Sequence, residues 1–318
     1  MAKKFKGIGC PCVTPFHSDE TLDLTALREL VDYLINNEIH AILPTAHSSE
    51  SYSLNDEEFH QVIDTVVDHV NGVVPVFIGL PTDNTHRILE IASYATDSGA
   101  DGLVLYPPHI PQLNISELVS HIEHVVSHVD NSFLIVNDPD SCKIDLPTEL
   151  IAKLSKFGNI VGLVEMSNEF KKLLDISASV RDDFRVYAGR GLLAPQAIQE
   201  GKVEGAIVPS ANVVPSLLVE LYEALNVEMK GRFEELQTKL IPLEIGFKLG
   251  SFPAAIKAGL NLQGVNVGIP RRPVLPLSEA DLERLRNILI TAGFLRPAQK
   301  ESSDSKDEQT SPPSDPKK

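Results

Sequence analysis

The chain has 318 residues, 42% apolar and 23% charged, enough to bury a large core as one big α/β domain or two ordinary ones. No apolar run approaches the roughly 20 residues a membrane span needs. A formal net charge of −16 sets the surface against a nucleic-acid backbone or an anionic membrane as partner. The opening MAKKFKGIGCPC carries basic residues with no apolar segment behind them, so it does not read as a secretory signal, and the expected location is cytoplasmic. Cys10, Cys12 and Cys142 give an odd count, which argues against a disulfide framework and offers too few partners for a structural zinc site.

In chain order, short apolar, β-branched runs stand at 7–14, 40–45, 74–79, 102–107, 132–137, 160–166, 184–189 and 203–209, which predicts eight strands. Amphipathic stretches follow each of them, at about 23–37, 55–70, 84–98, 116–129, 147–156, 168–179, 192–200 and 215–226. The clearest is 55–70, where Phe59, Val62, Ile63, Val66, Val67 and Val70 repeat with helical spacing, and Asn55 with Glu58 forms a capping box at its start. Strands this uniformly apolar are buried on both faces, as in helix-covered parallel sheets. Eight βα units in succession predict a closed (β/α)8 TIM barrel over residues 1–226. A doubly wound open sheet is the runner-up, but TPFHSDET stands where its glycine-rich turn would follow the first strand. Helical patterns near 228–247, 251–262 and 278–294 predict a C-terminal helical appendage over 227–296. Residues 297–318, without a large apolar side chain, read as a disordered tail.

Barrel enzymes build their sites at the C-terminal ends of the strands and in the loops beyond. The chemistry available there includes His47, His109 and Glu165 for acid–base work, since imidazoles titrate near neutrality and Glu165 ends an apolar strand. Ser48 and Ser49, in the turn after the second strand, would present hydroxyls and N–H groups to a small carboxylate. Arg190, between two glycines, would bind a ligand carboxylate or pair with Glu165. Asp138 before Pro139 reads as a turn former.

At these loops the chain resembles the dihydrodipicolinate synthase / N-acetylneuraminate lyase family of (β/α)8 aldolases, over roughly residues 5–295. The likeness rests on GIGCPCVTPF, GADGLVLYPP, GAIVPSANVVP and AAIKAGLNLQGVNVGIPRRPVLPLS, four segments in the family's order and on the right elements. The resemblance implies chemistry on pyruvate-like keto acids through a Schiff base. It places that lysine on the sixth strand in a pattern like G-[IL]-K-[ED], a proton-relaying tyrosine on the fifth in Y-N-x-P, and a carboxylate-holding G-[ST]-T-G-E loop after the second. In this chain GLVE puts Val164 at the lysine position and VNDP puts Val136 at the tyrosine position. AHSSE puts His47 and Ser48 at the two hydroxyl positions and retains Glu50, and His109 stands where a second relay tyrosine is usual. The resemblance also makes Asn137, and Ile207 on the eighth strand, ligand-binding positions.

Valine has no nucleophile, so the expectation is a family member that binds a small keto acid or sugar acid without Schiff-base chemistry, a pseudoenzyme candidate that needs no cofactor or metal. Three alternatives stay open. One is a lyase or hydro-lyase working through His47, His109 and Glu165. Another has the same residues holding a divalent metal. The third is an aldolase whose lysine has moved, with Lys143, in a loop, the nearest to a strand end. By resemblance, the chain is expected to form a homo-oligomer, a tetramer or a dimer.

Overall fold

The computed structural model describes residues 5–82, 84–108, 113–226 and 230–297. His109, and the expected tail from residue 298 on, lie outside the described residues.

All eight expected strands form, shorter than their apolar runs: β1 (Gly7–Cys10), β2 (Ala41–Ile42), β3 (Phe77–Gly79), β4 (Gly102–Leu105), β5 (Phe133–Asn137), β6 (Ile160–Glu165), β7 (Arg185–Ala188) and β8 (Gly205–Ile207). They pair in parallel in the order β2-β1-β8-β7-β6-β5-β4-β3. A parallel bridge between Ile42 and Val76 joins the two ends of that sheet, so the closed barrel replaces the open-sheet alternative.

The helices α1 (Leu24–Asn36), α2 (Asp56–Val70), α3 (Thr85–Asp97) and α4 (Ile115–His128) follow the first four strands. In α2 the expected stripe is buried apart from the half-buried Val67, and the capping box forms, Glu58 N–H donating to Asn55 Oδ1 at 2.9 Å and Asn55 N–H to Glu58 Oε2 at 3.0 Å. Beyond β5 an unexpected turn of helix, α5 (Pro139–Cys142), precedes α6 (Thr148–Leu154), with Asp138 as its N-cap and Pro139 in its first turn. Then come α7 (Phe170–Ser179), α8 (Ala194–Gln199) and α9 (Pro215–Asn226). The C-terminal part supplies α10 (Lys230–Gly246), α11 (Ala254–Leu262) and α12 (Glu279–Thr291). Phe233, Leu240, Leu243, Ile256, Leu260 and Leu285 join the same core that lies between barrel and helices.

A second, smaller core fills the barrel, with Leu43, Phe77, Val104, Leu134, Val136 and Val164 among its members. At its N-terminal end Phe5 stacks on Tyr187, ring centroids 4.7 Å apart, and the Tyr187 hydroxyl donates to the Phe5 carbonyl at 2.6 Å. On β6 the pairing slips by one residue, Ile160 opposing Phe133 while Gly162 opposes Leu134. After that slip Leu163 packs outward and Val164 inward, facing its β5 partner Val136 on the barrel's inner surface. The three cysteines are buried and free.

Candidate functional site

The C-terminal mouth of the barrel opens into a cavity of about 530 Å³. Its floor is apolar: Leu43, Val104, Val136, Val164 and Ile207, one inward side chain from each of five strands or strand ends. A volume of several hundred cubic ångströms with few polar groups is the usual form of a small-molecule site.

One wall is the loop after β2, which is held rigidly. Thr45 and Glu50 take left-handed backbone angles, φ 53° and 56°, where β-branched threonine is strained. Thr45 Oγ1 donates to Gly79 O at 2.8 Å, Ser48 Oγ to Pro11 O at 2.7 Å, Ser49 Oγ to Cys12 O, and Thr14 Oγ1 to Ser49 O at 2.7 Å. Of the residues expected here, His47 and Ser48 line the cavity, whereas Ser49 and Glu50 are turned into the protein. The half-buried His47 ring stacks on Phe252 at 5.9 Å with planes 8° apart, and its backbone hydrogen-bonds the Tyr106 phenol, which also faces the cavity. Burial pushes the Tyr106 hydroxyl upward.

Glu50 is enclosed with Lys257 of α11, carboxylate to ammonium 2.5 Å, and its other oxygen accepts from Arg271 N–H at 2.8 Å. Lys257 also donates to Ile269 O at 3.0 Å and lies 4.3 Å above the Phe16 ring. Burial pushes the Lys257 ammonium down to about 8 and the Glu50 carboxyl up, their mutual attraction opposing both shifts. This lysine lies outside the cavity lining.

A second wall carries Asp138, Asp140 and Arg190. Arg190 does not pair with Glu165: it donates to Asp140 and, through Nε, to Met166 O at 2.5 Å, with Asp138 at 3.9 Å. Its charge is therefore largely met within the protein. Glu165 points away from the cavity, because it alternates with inward Val164 on β6. Both its oxygens accept from Asn137 Nδ2 at 3.0 Å, and Oε1 accepts from Ser167 N–H at 2.7 Å. Asn137 likewise faces out, donating also to Asp145 at 2.8 Å, which pairs with Lys172. Burial raises the Glu165 carboxyl despite these bonds. Lys143 is exposed, with its ammonium on Asp140 O, and does not line the cavity.

Tyr106, Ser210, Glu244 and Lys248 are among the polar lining residues to which the sequence reading assigned no role. Glu244 and Lys248 stand four apart at the end of α10 and just beyond, a segment outside the βα loops where barrel sites are sought. Glu244 Oε1 is buried with no partner at full hydrogen-bonding geometry, and burial raises its carboxyl, opposed by the neighbouring Ser210 hydroxyl and the Lys248 charge. Among the described residues, no group of three or more His, Cys, Asp or Glu is placed to hold a metal ion. Nor is any helix among them long and apolar enough to cross a membrane.

The family model described as Dihydrodipicolinate synthetase family matches residues 4–292. The 4-hydroxy-tetrahydrodipicolinate synthase of Thermoanaerobacter sp. (strain X514) is 30% identical over 296 residues, 92% of this chain and 99% of that one. The crystal structure of dihydrodipicolinate synthase from Thermotoga maritima superposes with a TM-score of 0.87 at 28% identity, covering 92% of this chain and 99% of that one. A prophage protein of the dihydrodipicolinic acid synthase family from E. coli K12, solved in complex with pyruvate, superposes with a TM-score of 0.87 at 25% identity, covering 91% and 99%.

Proposed function

The chain belongs to the dihydrodipicolinate synthetase family, and from that premise we propose that it binds a small keto acid or sugar acid in the barrel mouth without forming a Schiff base. One observation carries the reading: Val164 and Val136, at the positions of the lysine and the tyrosine, oppose each other in register and together pave the cavity floor. An imine needs an amine in contact with the ligand carbonyl. Among the described residues the cavity meets one lysine, Lys248, an exposed residue. Lys257 has the depressed pKa such chemistry wants, but its ammonium is bound to Glu50 and Ile269 O away from the cavity. The relative solved with pyruvate supports the ligand class. Within this reading His47 and Ser48 touch the ligand directly, while Ser49 and Glu50 position the loop that carries them.

The test is a melting experiment joined to mass spectrometry. Pyruvate or a sugar acid raises the melting temperature by mass action, while pyruvate with borohydride leaves the protein mass unchanged. A covalent adduct overturns the reading, as does the absence of any shift across keto acids and sugar acids.

A second reading, an acid–base lyase or hydro-lyase, is favoured by the hydrogen-bonded placement of His47 and Tyr106 on one cavity. Any lyase activity found should vanish in His47→Ala; its survival there removes this reading. We also propose that like chains assemble as a dimer or tetramer, which sedimentation would show as a mass two or four times that of the chain.

A further inference from the structure

We propose that the α10 side of the cavity is a subsite for hydroxyl groups, in which Glu244 and Ser210 read the polyol portion of a sugar acid. The inference rests on the binding reading above and narrows its ligand. Glu244 Oε1 and Ser210 Oγ are both buried, both belong to residues lining the cavity, and the Ser210 hydroxyl lies near enough to favour the Glu244 carboxylate, yet the pair does not meet with full hydrogen-bonding geometry and no other protein group meets either atom. Unmet polar atoms inside a folded protein mark a place where a partner is missing. The room for the carboxyl is made by Gly191, since a Cβ there would collide with it.

The charge around the pair selects the partner. A ligand carboxylate would be repelled by Glu244. An ammonium would meet Lys248, which lies near enough to act on the Glu244 carboxyl through space and also lines the cavity. A hydroxyl meets both needs, donating to the Glu244 oxygen and accepting from the Ser210 hydroxyl. The remaining lining suits the same ligand: a cavity of about 530 Å³ holds a chain longer than a three-carbon acid. Sites that hydrogen-bond a ligand hydroxyl discriminate strongly against the analogue lacking it.

Calorimetric titration of the full chain with gluconate, hexanoate and pyruvate tests this, because the first two share a six-carbon acid chain and differ in hydroxylation. Gluconate should bind at least tenfold more tightly than hexanoate. Glu244→Leu and, separately, Ser210→Ala should each lose most of that preference, with folding of both variants checked by circular dichroism. Equal binding of gluconate and hexanoate, or an unchanged preference in the variants, overturns the subsite. If pyruvate still binds in that case, the broader reading survives. If none of the three acids binds, both fall.

Discussion

Two buried places in this barrel treat charge in opposite ways. Where α11 meets the loop after β2, the chain encloses a complete ion pair, Glu50 with Lys257, and satisfies the remaining valences with Arg271 N–H and Ile269 O. On the cavity floor it places valine at both positions where the family resemblance calls for a lysine and a tyrosine. Enclosing an amine is thus within the reach of this sequence. It does so where the amine fixes a loop, and it leaves the cavity floor apolar. A lowered lysine pKa is therefore no evidence of catalysis here: burial depresses Lys257 whether or not a carbonyl can reach it.

The comparison breaks most forcefully at the clamp. Lys257→Met should leave Glu50 buried and unpaired, costing about 3–5 kcal/mol in urea unfolding. A loss below about 1 kcal/mol would mean the pair holds nothing together. A smaller effect is expected where Glu244 presses on Gly191. Gly191→Ala should cost about 1–3 kcal/mol through overpacking. Combining it with Glu244→Ala should recover most of that loss, a coupling that a double-mutant cycle reads directly.

The smallest effect expected is a pH dependence. Burial raises the folded pKa of Glu244, so the folded chain holds that proton more tightly than the unfolded chain. Wild-type stability from this group is therefore full below the unfolded value, near 4.5, and is lost as pH rises through the raised folded value. Gln cannot ionise. The melting temperature of Glu244→Gln should gain on wild type as pH rises above about 4.5, and a constant difference would remove Glu244 from the titrating groups of the cavity.

Much of the fold is legible in the sequence because a helix-covered parallel strand has to be apolar on both faces, so each of the eight announces itself as a short β-branched run. The first-turn capping of α2 is legible because it is local, the side chains of Asn55 and Glu58 each accepting from the other's backbone N–H. The site is legible only in part. His47, Ser48, Arg190, Val136, Val164 and Ile207 come together on the cavity, as strand-end positions should. Glu165 and Asn137 sit one residue beyond inward-facing valines, and alternation turns them to the outer face of the barrel wall. The slip at Ile160–Gly162, which helps decide which residues of β6 face inward, has no signature in composition. Arg190 reads as the holder of a ligand carboxylate or the partner of Glu165 until the short helix α5, which the sequence conceals behind Asp138-Pro139, brings Asp140 to it. Glu244 escapes notice because α10 reaches the barrel mouth through tertiary packing alone.

The most direct measurement is the intact mass of the wild-type chain after incubation with pyruvate and borohydride, run beside Val164→Lys as the variant that restores an amine to the floor. The wild-type mass should not change. A reduced pyruvate adduct on the wild-type chain, mapped to Lys257, Lys248 or any other lysine, would contradict the claim that the apolar floor has removed the Schiff base.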